Sequence, residues 1–199
     1  ASCGKTSIRR GTEAAALSLS DQLDSLPRPS SQESMILGFS DLHCNQAMTE
    51  LIGRLVRVSR PSLILSSGDD TVNGTAAERG CIRREARISN GVPFLLATGN
   101  HASDVTEAQM RSSGMTVLDG QVVESAGLAV LGDDDPEHNI PFSVERTKDR
   151  PESEEAMAAR LVAVADNKQS DVLLVHQPAA ARVIMDTPNL PVRMVLWGH

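Results

Sequence analysis

MILGFSDLH, residues 35–43, is an apolar run of strand length that stops at a turn-forming serine and then presents Asp41 and His43. A buried strand has this length and this β-branched and apolar content. Two side chains able to bind metal or move protons follow its expected end. The same arrangement recurs four times along the chain. SLILSSGDD (62–70) ends in Asp69 and Asp70, and VPFLLATGNH (92–101) in Asn100 and His101. DVLLVH (171–176) ends in His176 and VRMVLWGH (192–199) in His199. The chain has five histidines, and four stand just past a predicted strand. The fifth, His138, lies in the acidic stretch GDDDPEHN (132–139).

The segments between these runs read mostly as helices. Met48, Leu51, Ile52, Leu55 and Val56 recur at helical spacing and make one apolar face. Thr75 with Glu78 forms a capping-box pattern that opens a helix through Cys81, Ile82 and Arg87. Asp104 with Glu107 reads as a variant of the same start signal. Pro151 suits a first helical turn, and Met157, Leu161 and Val164 mark a core face after it. Residues 116–132, TVLDGQVVESAGLAVLG, differ: short alternating pieces divided by Asp119-Gly120 and Ala126-Gly127 predict a meander of antiparallel strands. Alternating strands and helices with such an insert predict an α/β layered domain over residues 34–199. Residues 1–33, rich in serine, read as a polar linker or tail with one short helical turn in ALSLSDQL. CGKTS (3–7) has the ending of a phosphate loop but neither the earlier glycine nor a preceding strand, so Lys5 reads as a surface lysine.

Composition narrows the function. The chain has 199 residues, enough for a core without staples, and a formal net charge of -7. That charge argues against general binding of nucleic-acid backbones, which needs a basic face. It also poses a question for any anionic substrate, since positive charge must then be supplied locally. Arg83, Arg84 and Arg87 read as a solvated helix face. The three cysteines, Cys3, Cys44 and Cys81, are odd in number and lack a C-x-x-C pair, so neither a disulfide framework nor a cysteine zinc site is expected. No apolar run approaches the roughly 18 residues of a membrane helix, and no secretory signal is visible. Residues 1–33 leave open a tether to membrane segments outside this chain, and location stays undetermined between cytoplasm and membrane.

Ligands of open α/β sheets sit beyond the carboxyl ends of the strands. Five such ends would gather Asp41, His43, Asp69, Asn100, His101, His176 and His199 in one region. Singly, each has a plainer reading: a turn for Asp-x-His, a cap for Gly-Asp, a loop for Asn-His, a hydrogen-bonded core residue for His176. Jointly, mixed nitrogen and oxygen donors at one rim suit Zn, Mn or Fe. Seven donors are too many for one tetrahedral ion and natural for a pair sharing a carboxylate.

The order D-x-H, G-D, G-N-H, H and G-H resembles the calcineurin-like metallophosphoesterase superfamily, from about Met35 to the last residue. The resemblance implies two mixed sheets packed as a sandwich and flanked by helices, with the last strands missing after the G-H block. It implies Asp41 and His43 on a first divalent ion, Asp69 bridging, and Asn100, His176 and His199 on a second. His101 would face the phosphate and the leaving group. The second histidine of a G-H-x-H block would fall two residues beyond His199. Ala102 stands where the family usually has an acidic residue, and Asp104 either compensates or caps the next helix. Small bacterial members carry a similar Asp-Asp-Pro turn near the metals. That places Asp134, Asp135, Glu137 or His138 at the mouth of the substrate site, with a solvated acidic loop as the equal alternative. The implied activity is hydrolysis of a small phosphoester, by phosphatase or phosphodiesterase action, using a dinuclear centre and a bridging hydroxide. The competing expectation is a non-catalytic metal-binding scaffold of the same fold.

Overall fold

A computed structural model of the chain describes residues 33–138 and 151–199, together with a few positions between 14 and 30. Lys5, Cys3 and most of the predicted tail lie outside the described residues. Strand β1 (Ile36–Phe39) is followed by helix α1 (Gln46–Ser59), β2 (Leu63–Ser66), α2 (Arg79–Ile88), β3 (Phe94–Leu96), α3 (Asp104–Ser112) and β4 (Thr116–Val117). These four strands form one sheet, paired in parallel in sequence order. Each right-handed crossover then lands its helix on the same face. β5 (Val123–Ser125), β6 (Leu128–Gly132), β7 (Val172–Leu174) and β8 (Met194–Leu196) form the second sheet, again in sequence order. Helices α4 (Glu154–Lys168) and α5 (Pro178–Met185) belong with the second sheet, and a 3-10 turn at Ala76–Glu78 leads into α2.

The sidedness of the strands explains the layering. In β2, Leu63 and Leu65 face the other sheet, while Ile64 turns outward to Ile52, Val56, Ile82 and Met110 on the helices. In β7, Val172 and Leu174 face inward, while Leu173 packs with Met157, Leu161 and Ile184. Both faces of these strands are thus covered, which is why they read as unbroken apolar runs rather than alternating ones. The result is helices, sheet, sheet, helices, in agreement with the α/β sandwich expected. Among the described residues no helix is long and apolar enough to cross a membrane.

Several local expectations need correction. The stretch 116–132 is not a three-stranded meander. β4 pairs in parallel with β3, the Asp119-Gly120 turn carries the chain across to the second sheet, and only β5 and β6 form an antiparallel hairpin. Helix α3 is capped by Ser103, whose hydroxyl accepts from the Thr106 N–H, not by Asp104. A serine hydroxyl in extended backbone fits this role, and Asp104 becomes the first helical residue, near the positive end of the dipole. Pro151 precedes α4, which starts at Glu154 under a Ser153 cap. Cys44 and Cys81 are joined in a disulfide, their Cα atoms 5.4 Å apart across 37 residues. The loop after β1 folds onto the first turn of α2, a proximity that an odd cysteine count cannot show.

Candidate metal centre

The loops after β1 and β2 run side by side beyond the sheet. Asp41 N–H donates to the Gly68 carbonyl (2.9 Å), His43 N–H to that of Asp69 (2.8 Å) and Cys44 N–H to that of Asp70 (2.9 Å). The parallel register of β1 and β2 therefore continues past the strands and sets Asp41 and His43 against Asp69. The turn is tight. Asp41, His43, Cys44 and Asp69 all take positive φ, between 43° and 57°. Non-glycine residues in this region are strained and persist where surrounding bonds fix them, as at functional sites. Gly68 has φ 105°, and a Cβ there would stand 2.7 Å from both the Gly99 nitrogen and the His176 ring. Only glycine lets β2, β3 and β7 end this close together.

Asp69 sits at the centre and is buried. Its Oδ2 lies 3.7 Å from His43 Nε2, 3.9 Å from His101 Nε2 and 3.1 Å from His176 Nε2. Its Oδ1 accepts the His101 N–H at 3.0 Å. Each of the three imidazoles has its other nitrogen engaged by a backbone carbonyl. His43 Nδ1 meets Thr71 O (3.2 Å), His101 Nδ1 meets Val72 O (2.5 Å) and His176 Nδ1 meets Ser67 O (2.8 Å). A carbonyl can only accept, so each Nδ1 carries the proton. In the neutral ring each Nε2 then aims a lone pair at the same carboxylate. Lone pairs facing an anion require protons or a cation between them.

The remaining expected ligands close around this group. His199 N–H donates to Asp41 Oδ2 (3.1 Å), and the His199 ring stacks edge-on against His176 with centroids 5.4 Å apart. Two sets of donor atoms lie within 4.8 Å of one another: His43, Asp69 and His101, and Asp69, His176 and His199. They share Asp69. Asn100 Oδ1 is buried without a hydrogen-bond partner, and the buried His176 Nε2 has Asp69 Oδ2 3.1 Å away without hydrogen-bond geometry. Orphaned buried acceptors at such a cluster fit a bound cation. Burial tends to raise the Asp69 pKa, but His176 and the His101 N–H outweigh it and hold the carboxyl below its usual value. Burial likewise opposes protonation of His176, and Asp69 outweighs it, so that pKa is raised.

The acidic stretch before residue 139 departs from one of its two sequence readings, the solvated loop. Asp133, Asp135 and His138 are buried, and Asp134 is half-buried, so it is not a solvated loop. Asp135 ties the sheets together: its N–H donates to Thr98 O (2.9 Å), and its carboxylate accepts from Gln177 Nε2 (2.8 Å) and Glu137 N–H (2.8 Å). Arg160 bridges Asp133 (2.7 Å) and Glu152 (2.6 Å). Glu154, at the start of α4, is pushed up to about 7 by burial and by the neighbouring Asp135, Glu137 and Glu155.

Two supports escaped the sequence reading. Glu78, seen there only as a capping residue, accepts Val72 N–H (2.6 Å), Asn73 N–H (3.2 Å) and Thr75 N–H (2.7 Å). It fixes the loop whose carbonyls hold His43 and His101. Val72 O is the described partner of the His101 ring at Nδ1, and no side chain from position 102 takes part. Ala102 is buried, and Asp104 is exposed at the start of α3. Backbone carbonyls leave no side-chain signature, so no motif could announce them.

A search of curated protein sequences returned no match. Among solved structures the fold resembles that of NAD nucleotidase from Haemophilus influenzae, with a TM-score of 0.54 and 16% identity. The similarity covers 83% of this chain but 38% of that one, so this chain spans well under half of that protein's length. The sequence profile of calcineurin-like phosphoesterases, which are metal-dependent hydrolases, matches residues 34–199. A match over that span, on a fold whose strand ends gather these donors, shows that the chain belongs to the calcineurin-like phosphoesterase family.

Proposed function

We propose that the chain hydrolyses phosphoester bonds at a centre of two divalent ions shared by Asp69. The observation that carries this reading is the convergence of three Nε2 atoms on one buried carboxylate, each ring anchored through Nδ1. Asp41 and His43 would hold one ion, and Asn100, His176 and His199 the other. The donors suit Mn, Fe or Zn. Such ions supply Lewis acidity and bring water near neutral pKa.

The chain's own residues prepare the site. The lowered pKa of Asp69 favours the ionised carboxylate that a ligand needs. Carbonyl bonds at Nδ1 fix each tautomer before anything binds, so little reorganisation is left. His101 has a side chain 25% exposed, so its ring reaches solvent beside Asp69. Protonated at both nitrogens, it would donate Nε2–H to the departing oxygen. Two cations also answer the charge question, since they place positive potential at one rim of a chain of net charge -7.

Metal counting on the purified chain, with turnover of an aryl phosphate monoester and diester under added Mn, Fe or Zn, tests the reading. Two ions per chain with turnover of either ester supports it. Two ions with neither ester turned over under any metal leaves the non-catalytic scaffold in its place.

A further inference from the structure

Helices α1 and α2 enclose a groove of about 520 Å³ on the outside of the first sheet. Arg54 and Arg57 line it from α1, and Arg84 and Arg87 from α2, each pair one helical turn apart. Gly53 forms part of the floor. A Cβ there would meet the Ile88 side chain at 3.1 Å, so the glycine lets the helices close and brings the arginine pairs together. Among the described residues no carboxylate lies within ion-pairing distance of Arg57, Arg84 or Arg87. Glu50, the acidic residue in the described lining, accepts the Gln46 amide instead (2.9 Å).

Placement in a last helical turn accounts for Arg57 and Arg87 singly, through the helix dipole. It does not account for Arg84 beside them, nor for three arginines lining one groove in a protein of net charge -7. Like charges held in one groove repel unless an anion joins them. Guanidinium forks match phosphoryl oxygens two at a time. We propose that this groove is a second anion site, taking closely spaced phosphate groups, borne either by a soluble oligophosphate or by a phospholipid headgroup. It is separate from the metal centre. Arg57 lies eleven residues into α1, roughly 16 Å along the axis from the helix end that faces the metal ligands.

The test uses the whole chain, stripped of metal by chelation and dialysed, titrated calorimetrically with tripolyphosphate. One binding event is expected that weakens with added salt and weakens at least tenfold in the R84E/R87E double variant. R57K/R84K/R87K, which keeps charge and loses the forks, should bind with intermediate affinity and decides the matter if the charge reversal does not fold. Metal content and aryl phosphate turnover of the reloaded variants should match the parent. Co-sedimentation with vesicles of phosphatidylcholine containing a phosphoinositide separates the sources. Vesicle capture competed by tripolyphosphate assigns the headgroup, and absence of capture assigns the soluble anion. The proposal is overturned if tripolyphosphate does not bind, if the arginine variants bind it unchanged, or if poly-glutamate binds as tightly.

Discussion

His176 Nε2 stands 3.1 Å from Asp69 Oδ2, and both side chains are buried. The pair joins the two sheets, since Asp69 follows β2 and His176 follows β7. It is also the shortest approach between a histidine ring nitrogen and the central carboxylate.

On the proposed reading of two ions sharing Asp69, Asp69→Asn should disturb both sites at once. The amide keeps the shape but removes the charge that several donors face. Turnover should fall about 100-fold or more, at or beyond the upper end of the roughly 10–100-fold loss seen when groups around a metal site are disturbed. Metal per chain should drop while the circular dichroism spectrum stays unchanged. Retention of two tightly held ions would count against a shared Asp69.

Reduction of the Cys44–Cys81 disulfide should cost about 3–4 kcal/mol of stability, the chain-entropy value for a 37-residue loop. Urea unfolding with and without a dithiol reductant measures it, and Cys44→Ser with Cys81→Ser reproduces it without reductant. Cys44 follows His43 directly, so the reduced protein should also hold metal less tightly. Equal urea midpoints in the two redox states would show that the link constrains little.

Glu85 is buried against Asp70, and its pKa is raised well above the usual carboxyl value by burial first and the Asp70 charge second. The folded chain then keeps a proton that the unfolded chain releases above about 4.5. The raised pKa thus lowers stability progressively as pH climbs from 4.5 towards the folded pKa, and leaves it untouched below. Glu85→Gln carries no such penalty. Its stability relative to the parent should rise with pH across that window and match it near pH 4. Denaturant midpoints at several pH values check the slope, and a constant difference would refute a neutral Glu85.

Glu78→Ala should lower turnover roughly 10–100-fold, with a smaller effect on melting temperature. Glu78 touches no ligand; it holds the Val72, Asn73 and Thr75 amides, and Thr71 and Val72 in turn hold His43 and His101. Weaker metal affinity with an unchanged fold is the signature. Equal kcat and metal affinity in the variant would make Glu78 a helix-capping residue only.

The sequence showed the layered fold because β1, β2, β3, β7 and β8 are covered on both faces or set at their edges, and so appear as short apolar runs. It pointed to the candidate donors because polar residues stand immediately after those runs, where parallel strands converge. It was silent where two distant segments meet without a compositional trace. The disulfide is one case, and the carbonyls of Ser67, Thr71 and Val72 are another. Turn signals marked the Asp119-Gly120 break correctly but could not tell a hairpin from a passage between sheets. The solvated-loop reading of the acidic stretch failed because Asp133 and Asp135 are buried with partners, Arg160 and Gln177, that lie far along the chain.

The order of the strands has a consequence for biosynthesis. Asp41, His43 and Asp69 come from the half of the chain made first, while His176 and His199 come from the half made last. A ribosome-bound intermediate can complete the first sheet and its helices yet own only part of the coordination sphere. On the proposed reading, tight ion capture would wait until the late half docks, and metal uptake would report the docking of the two halves rather than act as an early nucleus.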